Sequence, residues 1–166
     1  MSEGETGRLT HLDAEGRARM VDVSEKPVTA RTAIAEGAVR MSREAYALVA
    51  AHGVKKGDVL AVAELAGVMG AKRTGELIPL CHPLALDQVE VRARLDAALP
   101  GVRLEATART SGRTGVEMEA LTAVTIAALT VYDMVKAVDR AMSIEAVRLV
   151  AKTGGTRGDW RLRPES

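Results

Sequence analysis

From Ala120 to Tyr132 the chain runs thirteen residues without a charge, and this constrains the fold more than any other stretch. That length suits a buried core helix, whereas a membrane span needs about 20 apolar residues. Charges bracket the run, with Glu117 and Glu119 before it and Asp133 and Lys136 after it. Between them there is almost no polar face, so the helix should be covered on more than one side, by a sheet and by a second subunit. The helix is expected to start near Gly115 and to end near Met142. A buried helix with acids and a lysine at its rims is a natural scaffold for a site.

The remainder is consistent with one soluble domain. The chain has 166 residues, enough to bury a real core, with 47% hydrophobic and 27% charged residues. A formal net charge of +1 gives no global field toward nucleic acid or anionic membrane. With no Phe, one Trp and two Tyr, the chain lacks the aromatic platforms on which base-stacking modules rely. Cys81 is the single cysteine, which excludes an internal disulfide and a multi-cysteine zinc cluster. The polar N-terminal stretch has no apolar core of a signal peptide, so the cytoplasm is the expected location.

Residues 1–19 read as a flexible tail, 20–160 as one domain and 161–166 as a second tail. Val28–Met41 reads as a strand bent at Gly37 or as two short strands. Ser42 and Asp58 cap two helices, Arg43–Ala51 and Val59–Ala71. Lys72–Pro83 combines two prolines and a glycine with apolar Leu77, Ile78 and Leu80, as a loop held against a site would. Gln88–Asp96 and Val102–Thr110 alternate apolar and polar residues, predicting a hairpin with one wet face. After the long helix comes a strand over Glu145–Lys152 and a glycine-rich exit loop, KTGGTRG. This order predicts a ferredoxin-like α+β fold, with helices on one face of an antiparallel sheet.

Asp133 and Lys136, at i and i+3, share a helix face. They fit either a surface ion pair or a partly buried acid–base pair, and the pattern does not choose between these. Glu117 and Glu119 point the same way only if their segment is extended, which Gly112 and Gly115 leave open. Neighbouring side chains in extended chain diverge, so Cys81 and His82 do not suit a direct thiol–imidazole dyad. Basic residues recur in glycine-containing turns (Lys55-Lys56, Lys72-Arg73, Arg113, Lys152, Arg157), where side chains and backbone N–H groups can bind phosphate oxygens. Neither a Walker A nor a dinucleotide fingerprint occurs. The residues alone imply a small α+β protein with an anionic-ligand site.

Longer motifs carry a resemblance. KKGDVLAVAELAGVMGAKRT, ELIPLCHPL, TGVEMEALTA and ALTVYDMVKAVD, with MVDVSEK before them and VRLVAKTGG after, are similar in content and order to the molybdenum cofactor biosynthesis protein C (MoaC) family. The similarity runs from about Leu9 to Asp159. It implies a ferredoxin-like subunit in a homohexamer, a trimer of dimers with active sites at subunit interfaces. It also implies a cyclic pyranopterin monophosphate synthase, a lyase that rearranges 3′,8-cyclo-7,8-dihydro-GTP and releases pyrophosphate. A radical SAM GTP cyclase would supply that triphosphate. No tightly bound cofactor is implied, and Mg²⁺ is admitted only as a companion of the triphosphate.

Carried onto this chain, the resemblance makes Asp133, Lys136 and Lys56 catalytic. Leu80, Cys81 and His82 contact substrate from the PLCHP turn, and Met118 and Glu119 form a second contact beside Glu117. Lys72 matches a further site lysine, and Asp22, Arg31 and Lys152 fall at the edge of the site. Arg113 stands where many relatives have lysine, keeping the charge but not the geometry. Two rival readings remain at this stage: a ligand-sensing module without chemistry, since fold does not imply function, and a nucleotide phosphohydrolase.

Overall fold

A computed structural model describes residues 15–156 and 158–163. The residues of both tails beyond these limits, and Arg157, lie outside the described part. The chain is α+β. Five strands, β1 (Thr29–Arg40), β2 (Gln88–Asp96), β3 (Gly101–Gly112), β4 (Ser143–Thr153) and β5 (Trp160–Arg161), form one antiparallel sheet in the order β2-β3-β1-β4-β5. Helices α1 (Arg43–Ala50), α2 (Val59–Lys72), α3 (Thr74–Leu77) and α4 (Glu117–Val135) lie between β1 and β4 in the chain.

The expected caps form. Ser42 Oγ accepts from Ala45 N at 3.1 Å, and Asp58 Oδ1 accepts from Leu60 N and Ala61 N at 3.0 and 3.1 Å. Each satisfies a backbone donor that a helix start leaves orphaned. β1 is a single strand, and its ladder with β4 slips twice, between Ile34 and Ala35 and between Glu36 and Ala38, the second slip falling at Gly37 where the sequence suggested a bend.

α4 packs on β1, β3 and β4, and α2 packs on α4 and β2. Without Phe, the core is built from small side chains: Ala33, Ala35, Ala106 and Ala108 of the sheet meet Ala120, Ala123, Val124, Ala127 and Val131 of α4. Small residues let backbones approach closely, which replaces bulk by proximity. On α2 a Cβ at Gly67 would stand 2.9 Å from the Ala123 carbonyl, and one at Gly70 2.7 Å from Ile126. Lys56, just before α2, bonds to Asp133 at the end of α4, while Cys81, beyond α3, meets Glu119 at its start, so the two helices run in opposite senses.

α4 is shorter than the sequence suggested. Lys136 caps it, and the chain then turns away instead of continuing to Met142. Asp139 stops it: its carboxylate accepts from Ala141 N at 2.8 Å and from Ser42 N at 2.7 Å, while Tyr132 donates to the Arg140 carbonyl at 3.0 Å. By length and composition α4 could cross a membrane, but it is the central core helix of this fold. The fifth strand was not expected. Trp160–Arg161 pairs with β4, and Leu162 N donates to Val150 O at 2.8 Å, so the fold reaches past residue 160.

Candidate active site

Both rims of α4 carry chemistry, and they differ. At its N-terminal end a cavity of about 570 Å³ opens between the strap Val21–Lys26, the Leu80–His82 turn, the start of α4 and the loop after β4. Arg31, Leu80, Cys81, His82, Glu117, Met118 and Lys152 line it, seven of the positions expected at the site. Lys26, Arg113 and Thr114 line it as well.

Backbone hydrogen bonds fix this cavity's guanidinium groups. Arg31 donates from Nε to Gly112 O at 3.0 Å and from Nη2 to Arg113 O at 3.2 Å. Arg113 Nε in turn donates to Lys26 O at 3.2 Å, drawing the strap onto the site. Gly154 and Gly155, at φ of 85° and 81°, pass under β1 and Arg31 so closely that a Cβ on either would strike the Ala30 carbonyl or the Arg31 guanidinium. Asp159 accepts from Gly154 N at 3.0 Å and holds that turn. Four cations and a glycine turn around one hollow are suited to a polyanion.

Glu117 and Glu119 occupy the first helical turn, which overturns the extended alternative and makes them diverge. Glu117 faces the cavity and pairs with Lys152 at 3.0 Å, each side chain 28% exposed. Glu119 turns inward and is only 2% exposed, behind Cys81 rather than at the cavity wall. Burial pushes its carboxyl above the ordinary carboxylate value. Burial, and then the neighbouring Glu119, push the Cys81 thiol up in the same way, so Cys81 is not an activated nucleophile.

His82 Nε2 lies 2.7 Å from the Val21 carbonyl, which assigns the proton to that nitrogen. The ring makes no bond to Cys81 Sγ, in keeping with the side chains pointing apart. Asp22 is not part of the cavity lining; its carboxylate accepts from Ser24 N at 2.9 Å, and that bond draws its pKa down.

At the opposite end of α4, Asp133 Oδ1 meets Lys136 Nζ at 2.7 Å and Oδ2 meets Lys56 Nζ at 2.9 Å. Lys56 also donates to the Asp133 carbonyl at 2.9 Å, satisfying a last-turn oxygen where the helix dipole favours cations. Bonds from Lys136 first and Lys56 second hold the Asp133 carboxyl at about 2. All three side chains are about half exposed, between 50% and 56%, so the pair is not the partly buried one considered from sequence. Pairs this exposed add little stability; what the arrangement achieves is two ammonium groups fixed on one carboxylate.

A single chain does not bring these two groups together. Asp133 is about 24 Å along α4 from Glu117 at the usual rise per residue. Lys72, exposed at the end of α2, belongs to neither group. Lys26 and Thr114 were missed because a lone Lys before Pro27 and a Thr in a turn carry no pattern of their own.

Comparison with known proteins assigns the chain to a family. The MoaC family model matches residues 20–155, which include all of the residues above except Asp159. The chain belongs to the MoaC family. A Dinoroseobacter shibae relative, named cyclic pyranopterin monophosphate synthase, is 64% identical over 150 residues, 90% of this chain and 95% of that protein. A Cereibacter sphaeroides protein of the same name is 63% identical, covering 90% of this chain and 94% of its own length. A Methylobacterium protein, also so named, is 61% identical over 156 residues, 94% of this chain and 98% of that protein. MoaC membership thus spans the strap, the PLCHP turn, both ends of α4 and the loop after β4.

Proposed function

We propose that this chain performs the reaction for which its relatives are named: it is a cyclic pyranopterin monophosphate synthase, a lyase of molybdenum cofactor biosynthesis. The observation that carries the reading is identity above 60% across nine-tenths of the chain to proteins of that name. On this reading the substrate is the cyclised triphosphate 3′,8-cyclo-7,8-dihydro-GTP, made by a radical SAM GTP cyclase, and the cytoplasm is the working compartment. Lys26, Arg31, Arg113 and Lys152 bind its phosphates and stabilise the departing pyrophosphate. Mg²⁺ travels with the triphosphate as part of the substrate. Lys136 and Lys56 move protons as the imidazoline part opens and the pterin ring closes, and Asp133 holds them in place.

The subunit is read as ferredoxin-like, which the strand order and the helices between β1 and β2 and between β3 and β4 support. It works as a homohexamer, a trimer of dimers, in which the lysine cluster of one copy completes the cavity of another. Two observations support this. The two half-sites lie at opposite ends of α4, and an apolar face of Val62, Leu65 and Met69 on α2 with Leu129 on α4 is left exposed. One symmetric contact can serve both copies of such a pair.

The test supplies the purified protein with the cyclised triphosphate and detects both pyrophosphate and an oxidisable fluorescent pterin. Wild type should yield both, and Lys136→Ala neither. Pyrophosphate without pterin would make it a phosphohydrolase, and neither product from wild type would make it a non-catalytic module. Assayed at substrate well below KM, where Arg31→Ala alone is about tenfold impaired, a mixture of Lys136→Ala and Arg31→Ala subunits should restore about a quarter of wild-type activity if sites are shared between copies. No recovery after subunit exchange would refute the shared site.

A further inference from the structure

Lys56 belongs to the lysine cluster, yet little in its own surroundings holds it there. Between α1 and α2, residues 51–58 are exposed apart from partly buried Val54. Their backbone bonds stay local: His52 N donates to Val49 O at 3.1 Å, Gly53 N to Leu48 O at 2.9 Å and Gly57 N to Val54 O at 3.0 Å. Among the described residues, this loop's only hydrogen bonds to α4 are the two that Lys56 Nζ itself makes to Asp133. α1, which carries the loop, is short and buries only Ala45 and Val49. A helix of this length is marginal without a tertiary anchor.

The anchor is at its other end. Asp139, just beyond Lys136 and partly buried, accepts from Ser42 N at 2.7 Å through Oδ2 and from Ala141 N at 2.8 Å through Oδ1. In a capping box, the third residue of the helix supplies the acid that accepts from the N-cap N–H. That position in α1 is Ala45, which has no side-chain acceptor, and Asp139 takes its place from 97 residues away. A carboxylate there also meets the positive end of the helix dipole. The Tyr132 hydroxyl, donating to Arg140 O at 3.0 Å, ties the same turn to the last turn of α4. These contacts close a ring that runs from the end of α4 through Asp139, Ser42, α1 and Lys56 back to Asp133.

We propose that Asp139 is a positioning residue of the lysine cluster: by stapling the start of α1 to the end of α4, it sets where the loop after α1 delivers Lys56 onto Asp133. It acts through α1 rather than on substrate. The kinetic arm of the test rests on the synthase reading, whereas the titration arm needs no substrate and stands apart from it.

Asp139→Ala should lower kcat about tenfold with KM little changed, because the phosphate-binding cavity at the other end of α4 is left alone. The same bond is tested from its donor side, which also serves if Asp139→Ala does not fold. Ser42 has a φ of −64°, which proline adopts, so Ser42→Pro deletes the N–H without strain at φ. Both Ser42→Pro and Ser42→Ala lose the Oγ cap, but only Ser42→Ala keeps the N–H. Ser42→Ala should stay within about twofold of wild type, while Ser42→Pro should fall with Asp139→Ala, and the double variant should lose little more than either.

The titration arm follows the Asp133 carboxyl by NMR. Held at about 2 by Lys136 first and Lys56 second, it should titrate higher in Asp139→Ala and Ser42→Pro as Lys56 withdraws, and stay in place in Ser42→Ala. If wild type makes no pterin, the kinetic arm falls with the synthase reading and this titration alone decides. Three results would overturn the proposal: Ser42→Pro as active as Ser42→Ala, a raised KM with kcat intact in Asp139→Ala, or an Asp133 midpoint that neither change moves in the folded protein.

Discussion

The two ends of α4 solve the same electrostatic problem in opposite ways. At the N-terminal end, guanidinium groups are tied to backbone carbonyls, an acid is buried, and a 570 Å³ hollow exists within one chain. At the C-terminal end, three half-exposed side chains grip each other over open surface. Rigid backbone contacts suit a place that must recognise a polyanion each time. An exposed lysine–carboxylate cluster has reactive groups in place but nothing to exclude water, as expected of a part that works against another surface.

The sharpest break in the comparison is to delete the C-terminal end. Lys136→Ala should lower turnover by about 10²–10⁴-fold, the usual worth of a proton-transfer group, with fold and assembly unchanged by circular dichroism and gel filtration. Retained activity would remove the C-terminal cluster from the reaction. Next, Leu65→Asp on the exposed apolar face should abolish assembly and, with it, most activity, while the monomer stays folded. An active monomer would show that one chain contains the whole site.

At the N-terminal end, Arg31→Ala should raise KM by about tenfold or more, since a charge-assisted contact to phosphate of about 1.5–3 kcal/mol is lost. A fall in kcat alone would mean that Arg31 acts in chemistry rather than in binding. The smallest effect expected is in acid. Asp133, held at about 2, keeps its pairs as pH falls to 4 and loses them only on approach to 2. Its depressed pKa thus contributes stability above the unfolded value that is lost below it. An NMR titration of the Asp133 carboxyl with a midpoint near 4 would contradict the paired geometry.

Much of this was legible in order along the chain. Alternation gave β2 and β3, Ser42 and Asp58 marked their helices, and the charge-free run located α4. Local rules suffice there, because each signal and its consequence lie within a few residues. The end of α4 was misread because Asp139 takes one of its two donors from Ser42, far away in sequence. β5 was missed because a two-residue strand has no period to detect. Among site residues, the Asp133–Lys136 pair follows from helical spacing alone, while Lys56 joins it only through the fold.

The sequence by itself determined which groups are present and the elements that carry them, because helical and strand periodicities and capping are local. Tertiary structure decided the rest. It sent Glu117 to Lys152 and Glu119 into the core, although both are acids two residues apart, since a helix turns successive side chains to different faces. It also left Lys72 outside both clusters, because the direction of a side chain at a helix end depends on what packs around it. And it divided the candidate site residues into two groups, because a straight helix keeps its ends apart whatever residues they carry.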